Sequence, residues 1–383
     1  MNMMTETITI KEQVMPDTED NLLFTPGPLS TSTTVKQAMM HDVGSRDGAF
    51  VETVREIRKE ILRLAHVSQD AGYECILMQG SGTFGVESVL SSAIGPEHHV
   101  VIVANGAYGE RMVRMAEVHG IRHSVLRTNE DEWPTVPALE KFVANAHGAT
   151  HLVAVHSETT TGILNPIEAY GAVANKAGLV LIVDAMSSFG AVPLHVAKAH
   201  VDFLISSSNK CIEGVPGFSL IIARHDQLQR CKGRARTLSL DLYAQWKGLE
   251  DNGQFRFTPP THALLAFRQA LCELEEEGGP TARYARYACN QRRLTEGMCA
   301  MGFVPYLPTY RQGPIITSFL YPETAKFDFN RFYAALDSRG ITIYPGKLSK
   351  ADCFRIGSIG HLGTAEIDRL LDAVREVRCE MGL

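Results

Sequence analysis

The chain has 383 residues, too many for one small domain and suited to a two-domain enzyme, with 45% hydrophobic and 21% charged residues as in ordinary globular proteins. Its net charge of -6 and lack of a basic stripe speak against nucleic acid as a partner. No apolar run reaches the ~18 residues of a membrane span, and the eight cysteines hold no C-x-x-C pair, which argues against a zinc site or disulfide framework and for reduced thiols in the cytoplasm.

The opening "MNMMTETITIKEQVMPDTED" has no apolar core segment and several acids. Residues 1–21 therefore read as a loose N-terminal tail, neither signal nor transit peptide. From residue 22, short apolar runs alternate with amphipathic stretches. "ECILMQG", "HVVIVANG", "HLVAVHSE", "LVLIVDA", "DFLISSS" and "FSLIIAR" are continuously apolar, as strands covered on both faces must be. "VESVLSSAIG" and "NPIEAYGAVANKAG" read as helices between them. The second predicts Asn165 as N-cap, Pro166 at the first helical position and Gly178 as terminator. This alternation predicts an α/β fold, a large domain over residues 22–270 with a mostly parallel sheet. The pattern then changes. Long helical segments lead to "FVPYL", "ITSFLYP", "ITIYPG" and "CFRIGSIG", and the chain closes on the helix "TAEIDRLLDAVREVRCEM". Residues 271–383 thus form a smaller α+β domain.

Three features within the first part carry chemistry. "GSGTFG", Gly80 to Gly85, matches G-x-G-x-x-G between a strand and a helix, the pattern of a dinucleotide site. Such a site needs an acid at the end of the next strand, and "VVIVANG" ends in Ala104, Asn105 and Gly106. The free amides at a helix N-terminus still suit one phosphate, with the hydroxyls of Ser81 and Thr83 beside them. Without a ligand, the loop would be a tight strand-to-helix turn.

"GLVLIVDAMSS" ends a buried run on Asp184, a costly position for a carboxylate unless a cation or donors meet it. One strand later, "DFLISSSNK" delivers Lys210 to the same rim. Alone, the acid would be a turn cap and the lysine a surface amine. Strand carboxyl ends line the ligand crevice of a parallel sheet, so acid, amine and phosphate loop together form a constellation. Pyridoxal 5'-phosphate uses all three: its aldehyde is captured by a lysine, its ring nitrogen is kept protonated by an acid, and it carries a phosphate. Tyr108, in "NGAYGER", stands at the next strand edge, where it could stack on the ring.

The motifs "TPGPLSTS", "QGSGTFGVES", "NGAYGERM", "HSETTTGILNPI", "VDAMSSFG", "SSSNKCIEGVPGFS" and "FRIGSIG" occur in the order of a known family. From residue 22 to its end the sequence resembles the class V, fold-type I pyridoxal-phosphate aminotransferases. The resemblance implies a seven-stranded, mostly parallel sheet in the large domain. It also implies that Lys210 is the Schiff-base lysine, Asp184 the pyridinium partner and Tyr108 the stacking ring. Ser81, Gly82 and Thr83 would form the phosphate cup, with Asn209 beside it. Thr159 would lie near the cofactor's phenolic oxygen. Thr258, in "FTPPTHAL", would reach the phosphate of a neighbouring subunit, so a homodimer with shared active sites is implied. Arg355 would hold the substrate's anionic end, with Gly27 and Arg46 bordering the substrate. Arg46 lies in "HDVGSRDGAF", a stretch that departs from the members it looks most like.

The activity implied is transfer of the amino group of 2-aminoethylphosphonate to pyruvate, giving phosphonoacetaldehyde and L-alanine. The alternative is an alanine or serine:glyoxylate (or pyruvate) aminotransferase. The rival from another class, a dinucleotide-binding oxidoreductase, lacks its acid. A cysteine desulfurase is disfavoured because Cys353 lies too near Arg355 to occupy a flexible loop. No metal and no membrane partner is expected.

Overall fold

The computed structural model describes residues 20–383, so the loose-tail reading of residues 1–21 lies outside the described residues except for its last two. Asp20 pairs with Lys36, and Asn21 Nδ2 donates to Asp337 Oδ1 at 3.1 Å.

Seven strands form the main sheet in the order Tyr73–Gln79, Phe218–Arg224, Phe203–Ser207, Val180–Asp184, His151–Val155, Val100–Ala104 and His123–Arg127. Phe218–Arg224 alone runs against the others, pairing antiparallel with both neighbours. The remaining pairs are parallel. Six carboxyl ends therefore converge on one rim. The central strands are buried along their length because helices cover both faces, which explains their unbroken apolar runs. Each buried Val, Ile or Leu contributes ~1.5–3 kcal/mol relative to exposure. His123–Arg127 is an edge strand, half exposed, and its polar residues hide it among the apolar runs.

Helix Gly82–Ala93 follows directly on the first strand, with Ser81 extended at its N-cap. Helix Ala107–Val118 does the same after Val100–Ala104. The helix expected from "NPIEAYGAVANKAG" spans Ile167–Lys176, and its start differs from the prediction. Pro166 takes the N-cap position. Asn165 is drawn away because its side chain donates to Val155 O at 2.8 Å and exchanges hydrogen bonds with Asn105 at 2.8 and 3.2 Å. That bond between strand ends outcompetes capping. Gly178 stands just past the helix end with φ 66, the left-handed value a terminating glycine adopts without strain.

The C-terminal region builds a three-stranded sheet, Ile316–Leu320, Cys353–Gly357 and Tyr344–Pro345. Helices Gly279–Ala300, Phe329–Asp337 and Thr364–Met381 supply residues to the core behind it. Phe354 is its centre, with the Phe303, Phe319 and Phe332 rings at 5.6, 5.8 and 5.4 Å. "FVPYL" contributes only a single bridge, Pro305 to Phe319, since proline has no N–H to extend a ladder. The short strand Leu22–Leu23 pairs with Ile341–Thr342, and Phe24 is fully buried in this second core. The stretch that begins at residue 22 thus enters through the C-terminal body before reaching the large sheet. Among the described residues no helix is long and apolar enough to cross a membrane.

Candidate active site

Asp184 ends the strand Val180–Asp184, and its Oδ1 accepts the Met186 N–H at 2.9 Å. That bond leaves the second carboxylate oxygen for another partner. Burial pushes the carboxyl up to about 6, against the Met186 N–H and the charges of Arg111 and Lys210. Lys210 follows the adjacent strand Phe203–Ser207 in a turn closed by Glu213 N–H on Lys210 O at 2.7 Å. Burial lowers its amine to about 8; the Asp184 charge opposes this, and Arg355 and Lys347 reinforce it. A partly buried lysine and a buried acid face one pocket.

The Lys210 turn is braced from helix Gly279–Ala300. Arg283 Nη1 donates to Cys211 O at 2.7 Å, and Arg286 Nη2 meets Glu213 Oε1 at 2.8 Å. From the other side the Lys210 ammonium donates to Pro26 O. Gly27 is required there twice over. Its φ of +123 disfavours side chains, and a Cβ would stand 2.5 Å from Lys210 Nζ.

Ser81, Gly82 and Thr83, at the start of helix Gly82–Ala93, line the same pocket, as do Tyr108 and Asn209. Gly82 is held tightly, since a Cβ would come within 1.9 Å of Met186 Sδ. Tyr108 is fixed by a residue the sequence reading missed. Glu158 Oε1 accepts the N–H groups of Tyr108 at 2.7 Å and Gly109 at 3.0 Å, tying down the start of helix Ala107–Val118. Glu158 is wholly buried, and burial pushes its carboxyl up to about 7. The signal was present: "HSETTTG" places an acid three residues after the apolar run "HLVAV" ends. Arg111 was missed too, although it stands three residues after Tyr108 and so shares its helix face.

Arg355 faces away from the aromatic core that holds Phe354 and Ile356. Its Nε donates to Pro345 O at 2.9 Å and its Nη1 to Thr159 O at 2.9 Å. The guanidinium thus spans from the small sheet to the rim of the large one, with Nη2 left over. Thr258 and Arg46 are exposed and line no wall of this pocket in a single chain. They share one side of the molecule. Gln79, which precedes the glycine loop, donates to Phe257 O at 2.9 Å, and Asp42 meets His262 at 3.3 Å.

The pocket suits pyridoxal phosphate on an independent observation. The hydroxyls of Thr159, Ser157 and Ser207 are buried without any partner. Leaving a buried hydroxyl unpaired costs ~1–3 kcal/mol, and the two of these that line the pocket, Ser157 and Ser207, mark a wall built for polar atoms. Lys210 would hold the aldehyde end, Asp184 the ring nitrogen and residues 81–83 the phosphate.

The family profile described as aminotransferase class-V matches residues 30–357. The 2-aminoethylphosphonate–pyruvate transaminase of Salmonella schwarzengrund (strain CVM19633) is 52% identical over 356 residues, covering 92% of this chain and 96% of that protein. The enzyme of the same name from Salmonella agona (strain SL483) gives the same figures, 52%, 92% and 96%. Among solved structures, an alanine–glyoxylate aminotransferase from Nostoc sp. superposes with a TM-score of 0.88 at 25% identity, covering 98% of this chain and all of its own. The ureidoglycine–glyoxylate aminotransferase of Bacillus subtilis, at 23% identity, shares the fold with a TM-score of 0.87 over 96% of this chain and 95% of its own.

Proposed function

This chain belongs to the aminotransferase class-V family, a fold-type I enzyme with pyridoxal 5'-phosphate as cofactor, and from that premise we propose that it transfers the amino group of 2-aminoethylphosphonate to pyruvate, giving phosphonoacetaldehyde and L-alanine. The observation that carries the chemistry is the meeting of Lys210 and Asp184 in one desolvated pocket. The choice of donor rests on 52% identity across 92% of the chain with relatives of that activity.

When bound, pyridoxal phosphate supplies an aldehyde for the amine and a protonated ring that withdraws electrons from the carbon bearing it. Asp184 would hold the proton at the ring nitrogen. Tyr108 would offer a flat face to the ring, and the amides of residues 81–83 would bind the phosphate. The Lys210 amine, lowered to about 8, is neutral in a useful fraction near neutral pH. It takes a proton from the donor's carbon at Nζ and, in the second half reaction, returns one to the carbon that becomes alanine's. Arg355, held on two carbonyls, presents its remaining N–H groups to the donor's phosphonate and then to pyruvate's carboxylate.

Two copies pair as a homodimer in which Thr258 serves the neighbour's phosphate cup. Phe84 and Phe257 support this reading, since both rings are about half exposed, 50% and 45%, beside the glycine loop and Thr258. Arg46, on the same side, would border the neighbour's substrate. The cytoplasm is the compartment assigned, in keeping with eight unpaired cysteines.

The test is an absorbance titration of the yellow purified protein. Addition of 2-aminoethylphosphonate should bleach the aldehyde form, and pyruvate should restore it. Bleaching by serine at lower concentration, with recovery on glyoxylate but not pyruvate, would overturn the assignment in favour of a serine:glyoxylate enzyme.

A further inference from the structure

The groups assigned so far to the cofactor's phosphate carry no full positive charge. Residues 81–83 offer amides and hydroxyls, Asn209 an amide, and Thr258 of a second copy a hydroxyl. A phosphate monoester carries ~1.5–2 negative charges near neutral pH, while a helix N-terminus supplies about half a positive one. Confined in a pocket, that imbalance calls for a cation.

Arg111 stands where one is needed. It lies on helix Ala107–Val118 and lines the same pocket as Lys210 and Asp184. Its Nη1 donates to Thr83 Oγ1 at 3.1 Å, and its guanidinium carbon lies 4.8 Å from the Tyr108 ring centroid. An anion seated on the Thr83 hydroxyl would therefore be within a hydrogen bond of the fork. The charge is also uncommitted. Glu110 next to it pairs with Arg127 at 2.7 Å, and among the described residues no carboxylate is within ion-pair distance of Arg111. Lys210 and Arg355 do not fill this role, since one meets Pro26 O and the other the carbonyls of Pro345 and Thr159.

Building on the cofactor assignment, we infer that Arg111 is the cation of the phosphate cup, pairing with the cofactor's phosphate across Thr83 and selecting the phosphorylated cofactor over pyridoxal. A planar fork suits phosphate oxygens better than a point charge does. The competing role is mechanical: stacked on Tyr108, Arg111 would only orient that ring.

Equilibrium binding to cofactor-free protein separates the two, using pyridoxal phosphate and pyridoxal as parallel probes and protein fluorescence as the readout. Arg111→Gln should weaken pyridoxal phosphate at least tenfold while leaving pyridoxal within about twofold of wild type. Arg111→Lys should recover part of the loss. Inorganic phosphate should compete with pyridoxal phosphate in wild type and lose that ability in Arg111→Gln. Equal losses for both probes would assign Arg111 to positioning Tyr108, and unchanged affinity for both would remove it from the site; either result overturns the inference. Retained pyridoxal binding certifies that the variant is folded. If wild type binds neither probe, the cofactor assignment itself fails, a different outcome from loss of the phosphate preference.

Discussion

Thr159 gives its backbone carbonyl to Arg355 Nη1 at 2.9 Å while its own hydroxyl is buried without a partner. One residue thus orients the Arg355 guanidinium and keeps a buried hydroxyl free for a further partner. Because Arg355 is held by Pro345 O as well, its fork is aimed before any substrate arrives. Arg355→Lys keeps the charge but cannot span two carbonyls and an anion. It should lower kcat/KM for both substrates by ~10–100-fold, the scale of a charge-assisted hydrogen bond, with cofactor binding intact. Steady-state kinetics with each substrate varied decide it. Unchanged pyruvate kinetics would mean that the two anions have separate sites.

Lys210→Ala should keep part of its cofactor affinity and lose turnover by ~10²–10⁴ or more, since acid–base help alone is worth that much. The wild-type amine gives an independent check. Burial lowers it from 10.5 to about 8, so labelling of Lys210 in cofactor-free protein by an amine reagent should rise through pH 8. An inflection near 10.5 would contradict the desolvated environment.

Asp184→Asn retains the shape but cannot neutralise a protonated ring nitrogen, so both turnover and cofactor affinity should fall. The wild-type carboxyl, pushed up to about 6, is ionised above that pH and protonated below it. Cofactor affinity in wild type should therefore drop as pH falls through 6, and the variant should lack that step. Equal pH profiles would reduce Asp184 to a turn cap on Met186.

Glu158→Gln tests the anchor of Tyr108. The folded carboxyl, at about 7, lies above its ordinary 4.5, so the folded chain binds more protons between these values. Its contribution to stability is present below about 4.5 and is lost as pH rises through 7. The amide keeps an oxygen for the Tyr108 and Gly109 N–H groups without that loss. In urea unfolding of cofactor-free protein, the variant should gain on wild type between pH 4.5 and 7 by up to roughly 3 kcal/mol. Release of the nearby Asp184 from repulsion adds to the same trend. Parallel stability curves would show that Glu158 is not desolvated as the structure indicates.

Mixing Thr258→Ala with Lys210→Ala protein probes the shared-site reading. If Thr258 serves the neighbour, each mixed dimer gathers both lesions in one site and leaves the other whole, so activity should recover as subunits exchange. Exchange demonstrated by mass spectrometry without recovery would place Thr258 outside the neighbour's site.

The rim and two of its occupants are legible in the order of the residues alone. Unbroken apolar runs separated by helical patterns demand a parallel sheet, and such a sheet brings strand carboxyl ends together, so Asp184 and Lys210 at two such ends had to be near each other. Strand alternation likewise turned Arg355 away from Phe354 and Ile356. Tertiary structure alone decided which loops meet. Nothing in the local pattern links Thr159 to Arg355, Glu158 to Tyr108 or Arg111 to Thr83, and Asn165 left its capping position for a partner sixty residues away. Residues 22–24 joined the C-terminal core for the same reason. Periodicity records which face of an element is buried; it does not record what lies against that face, because that is fixed by the packing of segments distant in sequence.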